Sequence, residues 1–220
     1  MTYQVAVLLS GSGSNLQALL DAEAAGALGA RVALVASDRA DAYGLQRALA
    51  RGIAAAHVPL PPSPRGPARE LARAAWEQRL AAVVAAFTPD LVVLAGFMRI
   101  LSPAFLRWFP GRVINQHPAL LPDDGGETYT TAAGLVIPAL RGAHVVPEAL
   151  RRGLPVTGCT VHRVTPRVDD GPVLARAEVP VRPDDTAESL HERIKAEERR
   201  LIVEVVAALA AAKADRGLLA

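Results

Sequence analysis

The chain is organised around residues 112–122, which read RVINQHPALLP. Val113 and Ile114 are β-branched and favour a strand, and the prolines that follow favour a loop. Side chains alternate between the two faces of a strand, so Asn115 and His117 are predicted to lie on the same face. A carboxamide and an imidazole at the carboxyl end of one strand can polarise a carbonyl group and move a proton. The alternative is a polar strand end with two solvated side chains.

Apolar runs alternate with helical patterns along the first half of the chain, and this order predicts the fold class. A repeated β-α-β-α order indicates an α/β fold, with a Rossmann-like, mostly parallel sheet and helices on both faces. After Pro122 the pattern changes to a small predicted hairpin within residues 128–137 and to an antiparallel C-terminal strand region. The predicted strands before this change are residues 3–9, 32–37, 54–58, 91–94 and the strand of residues 112–122.

Loop and linker signals bear on the number of domains. Residues 59–67 contain five prolines in nine positions and predict an ordered surface loop, not a domain boundary. Thr186 is predicted to cap a long last helix. No linker is long enough to divide the chain, so residues 1–220 are predicted to form a single domain.

Composition and charge exclude several classes of protein. The chain has 220 residues, and a formal net charge of +2 gives no broad basic surface, so no nucleic-acid partner is predicted. The lone cysteine, Cys159, excludes an intrachain disulfide and fits a reducing compartment. No Cys/His cluster has zinc spacing, no signal peptide is recognisable, and no apolar run reaches the ~18 residues of a membrane span. A cytoplasmic location without metal or membrane contact is therefore predicted.

Residues 10–15, SGSGSN, are predicted to form a tight loop between the first strand and the first helix. Glycines let the backbone approach an anion, and a helix N-terminus offers free N–H groups and a partial positive charge. The dinucleotide fingerprint is incomplete because Leu16 stands where its third glycine would fall. A monophosphate is the predicted ligand, and the alternative is a turn that needs glycine only for its backbone angles.

Two later segments carry weaker signals. Residues 95–101, AGFMRIL, follow a parallel strand at the edge where ligands bind in such sheets, and Arg99 either holds a carboxylate or stays solvated. Residues 169–172, DDGP, are either a solvated acidic turn or a partner for the imidazole. If the fold brings Asp169 to His117, the carboxylate would orient the ring and favour its protonated form.

The other histidines and the cysteine carry little information. His162 lies in a predicted strand and faces either the core or the site. Cys159 has no basic neighbours in its strand, so it is predicted to be buried and unreactive.

Four motifs in this order resemble the phosphoribosylglycinamide formyltransferase family, and the resemblance covers about residues 3–205 with one interruption. It implies the formyltransferase fold and transfer of a formyl group from the co-substrate 10-formyltetrahydrofolate to the amine of glycinamide ribonucleotide, in purine synthesis and without a metal. The motifs are residues 10–17, SGSGSNLQ; 96–103, GFMRILSP; 115–122, NQHPALLP; and 168–172, VDDGP.

The resemblance also implies roles for individual residues. In the implied mechanism Asn115 and a protonated His117 donate hydrogen bonds to the oxygen of a tetrahedral adduct, and Asp169 raises the pKa of the ring. These three residues form the implied catalytic set. The implied ribonucleotide contacts are Gly13, Ser14, Asn15 and Glu198. The implied folate contacts are Arg73, Met98, Arg99, Ile100, Leu101 and Asn115. For Arg73 the alternative is a solvated helix face, and for Glu198 a surface position.

Residues 123–140 depart from the family pattern, which resumes at residues 141–144, RGAH. This predicted insertion either covers the site, forms an oligomer contact, which leaves a homodimer open, or is a tolerated surface hairpin. Two alternative functions also stay open. A formyltetrahydrofolate hydrolase shares the fold and catalytic set but is expected to carry an N-terminal regulatory domain, and a nucleotide- or folate-binding module would be catalytically silent. A methionyl-tRNA formyltransferase would need an RNA-binding domain and a basic surface.

Overall fold

The computed structural model describes residues 2–62 and 67–218. The predicted proline-rich loop, residues 59–67, therefore lies partly outside the described residues, at residues 63–66. Among the described residues no helix is both long and apolar enough to cross a membrane.

The chain forms two compact units, the first made of Met1–Ile114 with Val206–Ala220 and the second of Asn115–Val205. The prediction that residues 1–220 form a single domain stays a prediction. Seven strands form the central sheet in the order β3-β2-β1-β4-β5-β8-β9, and two more form a small sheet, β6-β7. The strands are β1 (Tyr3–Leu9), β2 (Ala30–Ser37), β3 (Ala54–His57), β4 (Leu91–Leu94), β5 (Val113–His117), β6 (Thr128–Thr130), β7 (Val136–Pro138), β8 (Val156–Arg163) and β9 (Val173–Pro180).

Helices follow the strands of the first unit, as the alternating pattern predicts. Strand β1 pairs in parallel with β2 and β4, and β2 pairs in parallel with β3. Val5–Leu9 are fully buried without alternation, because a parallel strand covered on both faces has no solvent side. The helices of the chain are α1 (Ser14–Ala24), α2 (Tyr43–Ala50), α3 (Pro67–Ala85), α4 (Pro103–Leu106), α5 (Val145–Arg151) and α6 (Ala187–Leu218).

The second unit contains the predicted antiparallel strands. Strands β8 and β9 pair antiparallel. The predicted cap of α6 is present: Ser189 N donates to Thr186 Oγ1 at 3.1 Å and Thr186 N donates to Ser189 Oγ at 3.0 Å. The α/β class with a mostly parallel sheet, helices around it and an antiparallel C-terminal region is therefore confirmed.

The predicted hairpin within residues 123–140 is also present, and it packs against the rest of the second unit. Strands β6 and β7 pair antiparallel. Tyr129 and Ile137 join Leu120 and Val156 in one apolar cluster. Tyr129 also donates its hydroxyl proton to Glu178 Oε1 at 3.0 Å, so the hairpin is tied to β9. Residues 123–140 are thus an ordered part of this unit.

Candidate active site

Asn115, His117 and Asp169 come together in the second unit. Asn115 and His117 lie on one face at the carboxyl end of β5, as the strand alternation predicts, and Asp169 lies in the loop between β8 and β9. His117 Nδ1 is 3.4 Å from Asp169 Oδ2, and Asn115 Nδ2 is 3.5 Å from Asp169 Oδ1. The carboxylate therefore faces both the imidazole and the amide, one with each oxygen.

His162 belongs to the same cluster, which decides between its two predicted environments. Its Nδ1 lies 2.9 Å from the Arg163 carbonyl oxygen, so the ring donates from Nδ1. Asn115 Nδ2 is 3.3 Å from that Nε2, and Asp169 Oδ1 is 3.5 Å from it. The buried His162 ring thus helps to orient the amide of Asn115.

Asp169 is held in an uncommon backbone conformation, with φ at 50°. Gly142 N donates to Asp169 Oδ2 at 2.8 Å. Burial by itself raises the pKa of the Asp169 carboxyl, but the neighbouring His162 and His117 rings and the Gly142 N–H outweigh it, so the pKa lies below its usual value. Asp169 is therefore an ionised carboxylate at neutral pH.

His117 is almost completely buried, and this corrects the expected direction of its pKa. Its ring is 3% exposed, and Nε2 lies 2.8 Å from the carbonyl oxygen of Leu140, the last residue of the insertion. Burial lowers the pKa of His117 below 6.5, and this effect exceeds the opposing attraction of Asp169 and the hydrogen bond to Leu140. A pKa below 6.5 leaves the ring mostly neutral at pH 7, and Nε2 faces the Leu140 carbonyl oxygen as a donor.

A titration of His117 followed by NMR should show whether burial or the charge of Asp169 has the larger effect on its pKa. We expect the ring protons of His117 to titrate below pH 6.5 in the wild-type protein. In Asp169→Asn the pKa of His117 should fall further, because the carboxylate charge that favours the imidazolium is gone. An unchanged or higher pKa in that variant would show that Asp169 does not act on the ring.

The loop that is predicted to hold a phosphate lies in the first unit, between β1 and α1. Gly13 is the N-cap of α1, with φ at 71° in the left-handed region, and Ser14 is the first helical residue. Asn15 is buried at 8% exposure, and among the described residues its Oδ1 has no hydrogen-bond partner. A buried acceptor without a partner beside free helix N–H groups fits a loop that holds a polar ligand.

Gly13→Ala is expected to distort this loop, whereas Gly11→Ala is the matched control. A Cβ at Gly13 would lie 2.8 Å from the Cα of Gly44, and the residue's positive φ adds strain. Gly11 has open space around its Cβ position. We expect Gly13→Ala to lower the melting temperature, with little effect of Gly11→Ala. Equal behaviour of the two variants would contradict the importance of the Gly13 conformation.

Arg99 is partly exposed, and a buried acid, Asp38, holds its guanidinium group. Its Nε donates to Asp38 Oδ2 at 2.6 Å, and Ser10 Oγ donates to Asp38 Oδ1 at 2.6 Å. Met98 N in turn donates to Ser10 Oγ at 2.9 Å. Asp38 therefore joins the loop of residues 10–15 to the loop of residues 95–101. The sequence analysis did not identify Asp38, and only its position directly after a buried strand could have indicated it.

The neighbouring loop residues differ in exposure. Met98 is 74% exposed and Ile100 is 63% exposed, whereas Leu101 is buried. Arg73 on α3 donates to the carbonyl oxygen of Ile100, so it reaches this loop and does not lie on a purely solvated helix face.

A second buried acid, Glu77, fixes the end of this loop. It accepts from Ser102 N at 3.2 Å and from the Ser102 hydroxyl group, and it pairs with Arg73 at 3.4 Å. Sequence reasoning missed Glu77 as well, since a lone acid in an amphipathic helix pattern carries no distinct signal.

The last two predicted residues lie in the second unit. Glu198 on α6 is buried at 6% exposure, so the surface alternative for it was wrong. Cys159 is buried as predicted, and burial, followed by the charge of Glu198, raises the pKa of its thiol to about 12. Such a thiol is protonated at neutral pH and unreactive. Among the described residues no group of three or more His, Cys, Asp or Glu side chains could hold a metal ion.

Comparison with known proteins identifies the family of this chain. Residues 3–206 match the model of the family described as Formyl transferase. A phosphoribosylglycinamide formyltransferase from Mycobacterium tuberculosis is 45% identical over 207 residues, which cover 94% of this chain and 85% of that protein. A trifunctional purine biosynthetic protein adenosine-3 from Bos taurus is 37% identical over 204 residues, which cover 90% of this chain and 17% of that protein.

Solved structures agree with this comparison. The crystal structure of glycinamide ribonucleotide transformylase 1 from Symbiobacterium toebii superposes with a TM-score of 0.82 and 41% identity, covering 96% of this chain and 89% of that one. The chain belongs to the formyl transferase family.

Proposed function

We propose that this protein transfers a formyl group from 10-formyltetrahydrofolate to the amine of glycinamide ribonucleotide, a step of purine biosynthesis. The family and the names of the relatives support formyl transfer as the reaction. The observation that carries the proposal is the cluster in which one buried carboxylate, Asp169, contacts both the His117 ring and the Asn115 amide. An amide donor and an imidazole–carboxylate pair are the groups that addition of an amine to a formyl carbon requires.

The proposed chemistry uses no covalent intermediate with the protein. The neutral amine attacks the formyl carbon, the carbonyl oxygen becomes negative, and the attacking nitrogen becomes positive. Asn115 donates an N–H to that oxygen, and its contacts of 3.3 and 3.5 Å within the cluster are long enough to yield to a better acceptor. His117 takes up a proton from the attacking nitrogen at Nδ1 and gives it to the folate nitrogen. The carbonyl then re-forms as the bond from carbon to the folate nitrogen breaks, and Asp169 stabilises the intervening imidazolium by charge.

Binding roles follow the same proposal. Gly13, Ser14 and Asn15 would hold the ribonucleotide phosphate, which would accept from the backbone N–H groups at the start of α1. The buried acid Glu198 would contact the ribose. The proposed folate contacts are Arg73, Met98, Arg99, Ile100, Leu101 and Asn115.

The proposal is tested by mixing the purified protein with glycinamide ribonucleotide and 10-formyltetrahydrofolate and following the absorbance of the folate. Turnover that depends on the amine is the expected result. Turnover without the amine would favour the hydrolase. Saturable binding of either ligand without any turnover would favour the silent binding module.

Three further properties are proposals with their own measurements. A cytoplasmic location, suggested by the single buried Cys159, is checked by cell fractionation. A homodimer is checked by light scattering of the purified protein. A single domain over residues 1–220 is checked by calorimetry, which should give one two-state unfolding transition.

A further inference from the structure

The side chain of Arg141 joins the insertion to the loop that carries Asp169. Its Nε donates to the carbonyl oxygen of Asp169 at 3.0 Å, and its Nη2 donates to the carbonyl oxygens of Gly125 and Gly126 at 3.1 and 2.7 Å. The planar guanidinium thus spans two backbone segments that no strand pairing connects. Its ion pair with Asp170, at 3.9 Å, is too long to add much.

Arg141 and its neighbour Gly142 hold Asp169 at two points at once. Arg141 donates to the backbone carbonyl oxygen of Asp169, and the N–H of Gly142 donates to its carboxylate at 2.8 Å. Asp169 needs such support, because a non-glycine residue with φ at 50° persists only where its surroundings over-determine it. The carboxylate oxygen that accepts from Gly142 is the same Oδ2 that faces His117 Nδ1.

A second arginine contacts residues 123–140 without reaching the Asp169 loop. Arg176 on β9 forms an ion pair with Asp123 and lies over the Tyr129 ring, 5.1 Å from its centroid. Neither contact reaches Asp169. The insertion therefore has one anchor that holds the hairpin and another that also holds the Asp169 loop.

We propose that Arg141 is a positioning residue for the reaction. Its guanidinium uses the backbone of Gly125 and Gly126 as a brace to fix Asp169 in the orientation that faces His117. Arg141 does not touch the reacting atoms in this proposal and acts only through the backbone of Asp169. Under this proposal the beginning of the insertion contributes to catalysis by helping to hold Asp169, and it is not a tolerated surface loop. The expected loss of kcat rests on the proposed function, whereas the role of Arg141 in fixing the orientation of Asp169 does not.

Steady-state kinetics of Arg141→Met, with Arg176→Met as the matched control, test this proposal. Both variants remove one guanidinium that contacts the insertion. We expect Arg141→Met to lower kcat by about 10- to 100-fold with little change in KM, because a small displacement of a catalytic group is costly. Arg176→Met should keep kcat near the wild-type value even if its melting temperature falls. Equal losses of kcat in the two variants would overturn the proposal.

Arg141→Lys separates geometry from charge. Lysine keeps the positive charge but not the fork that reaches both segments, so kcat should still fall. Wild-type kcat in this variant would overturn the proposal.

A second readout needs no activity: in Arg141→Met the carboxyl carbon of Asp169, followed by NMR, should titrate at a higher pH than in wild type, because the Gly142 N–H no longer holds it. If the wild-type protein shows no formyl transfer, the proposed function fails, and this titration still decides the role of Arg141.

Discussion

Asp169→Asn is expected to lower kcat by about 10²- to 10⁴-fold while leaving the fold intact. The amide oxygen of asparagine can still accept the hydrogen bond that Gly142 N now donates to Oδ2 at 2.8 Å, so the shape of the loop is retained. What is lost is the negative charge 3.4 Å from His117 Nδ1, which would stabilise the imidazolium in the proposed proton transfer. Stopped-flow measurement of a single turnover with saturating substrates would isolate this step.

The neighbouring acid supplies the control for this substitution. Asp170 pairs with Arg167 at 3.3 Å and has no contact with the imidazole, so Asp170→Asn should stay close to the wild-type rate. Circular dichroism and the melting temperature of both variants would establish that they are folded. A folded Asp169→Asn protein with a wild-type single-turnover rate would remove Asp169 from the mechanism.

The part of the site on β5 could be predicted because strand geometry is local. Two-residue alternation places Asn115 and His117 on one face whatever the rest of the fold does, and both are found there. Asp169 could not be placed by local rules, since its distance to His117 depends on how β8 and β9 pair. Its role came only from the resemblance to a family, and the 3.4 Å contact is what the structure adds.

The acids Asp38 and Glu77 and the ring of His162 were outside the reach of sequence reasoning for a different reason. Glu77 and His162 are polar residues within otherwise amphipathic or apolar elements, and Asp38 directly follows a buried strand. At such positions the pattern alone cannot tell a buried group from a solvated one. Burial becomes tolerable only through specific partners, such as Ser10 and Arg99 for Asp38. Those partners are distant in sequence and are known only once the fold is known.

The direction of the His117 pKa shift is the clearest example of a property that could not be predicted from the sequence. A carboxylate beside an imidazole predicts a raised pKa, and Asp169 does act in that direction. The insertion ends at Leu140, whose carbonyl meets Nε2, and the ring is buried to 3% exposure. Burial therefore outweighs the single charge, and the sequence carried no information about which effect is larger.

Asn115→Ala is expected to lower kcat by about 10²- to 10³-fold, the usual cost of removing one donor to a developing oxyanion. The KM values should change much less, because the hydrogen bond is strongest in the transition state. Asp169 and His162 would each lose one long contact with the amide, at 3.5 and 3.3 Å, so the effect on stability should be small. The measurement is kcat with both substrates saturating.

The adjacent residue of the same strand offers a control with a similar side-chain group. Gln116 points to the opposite face of β5, is 6% exposed, and both polar atoms of its amide lack a hydrogen-bond partner among the described residues. Gln116→Met removes an amide of similar size that makes no hydrogen bond there, so it should keep kcat and raise the free energy of unfolding by about 1 kcal/mol or more. If Gln116→Met lowered kcat as far as Asn115→Ala does, loss of kcat would reflect general damage to β5, and the assignment of Asn115 as the oxyanion donor would fail.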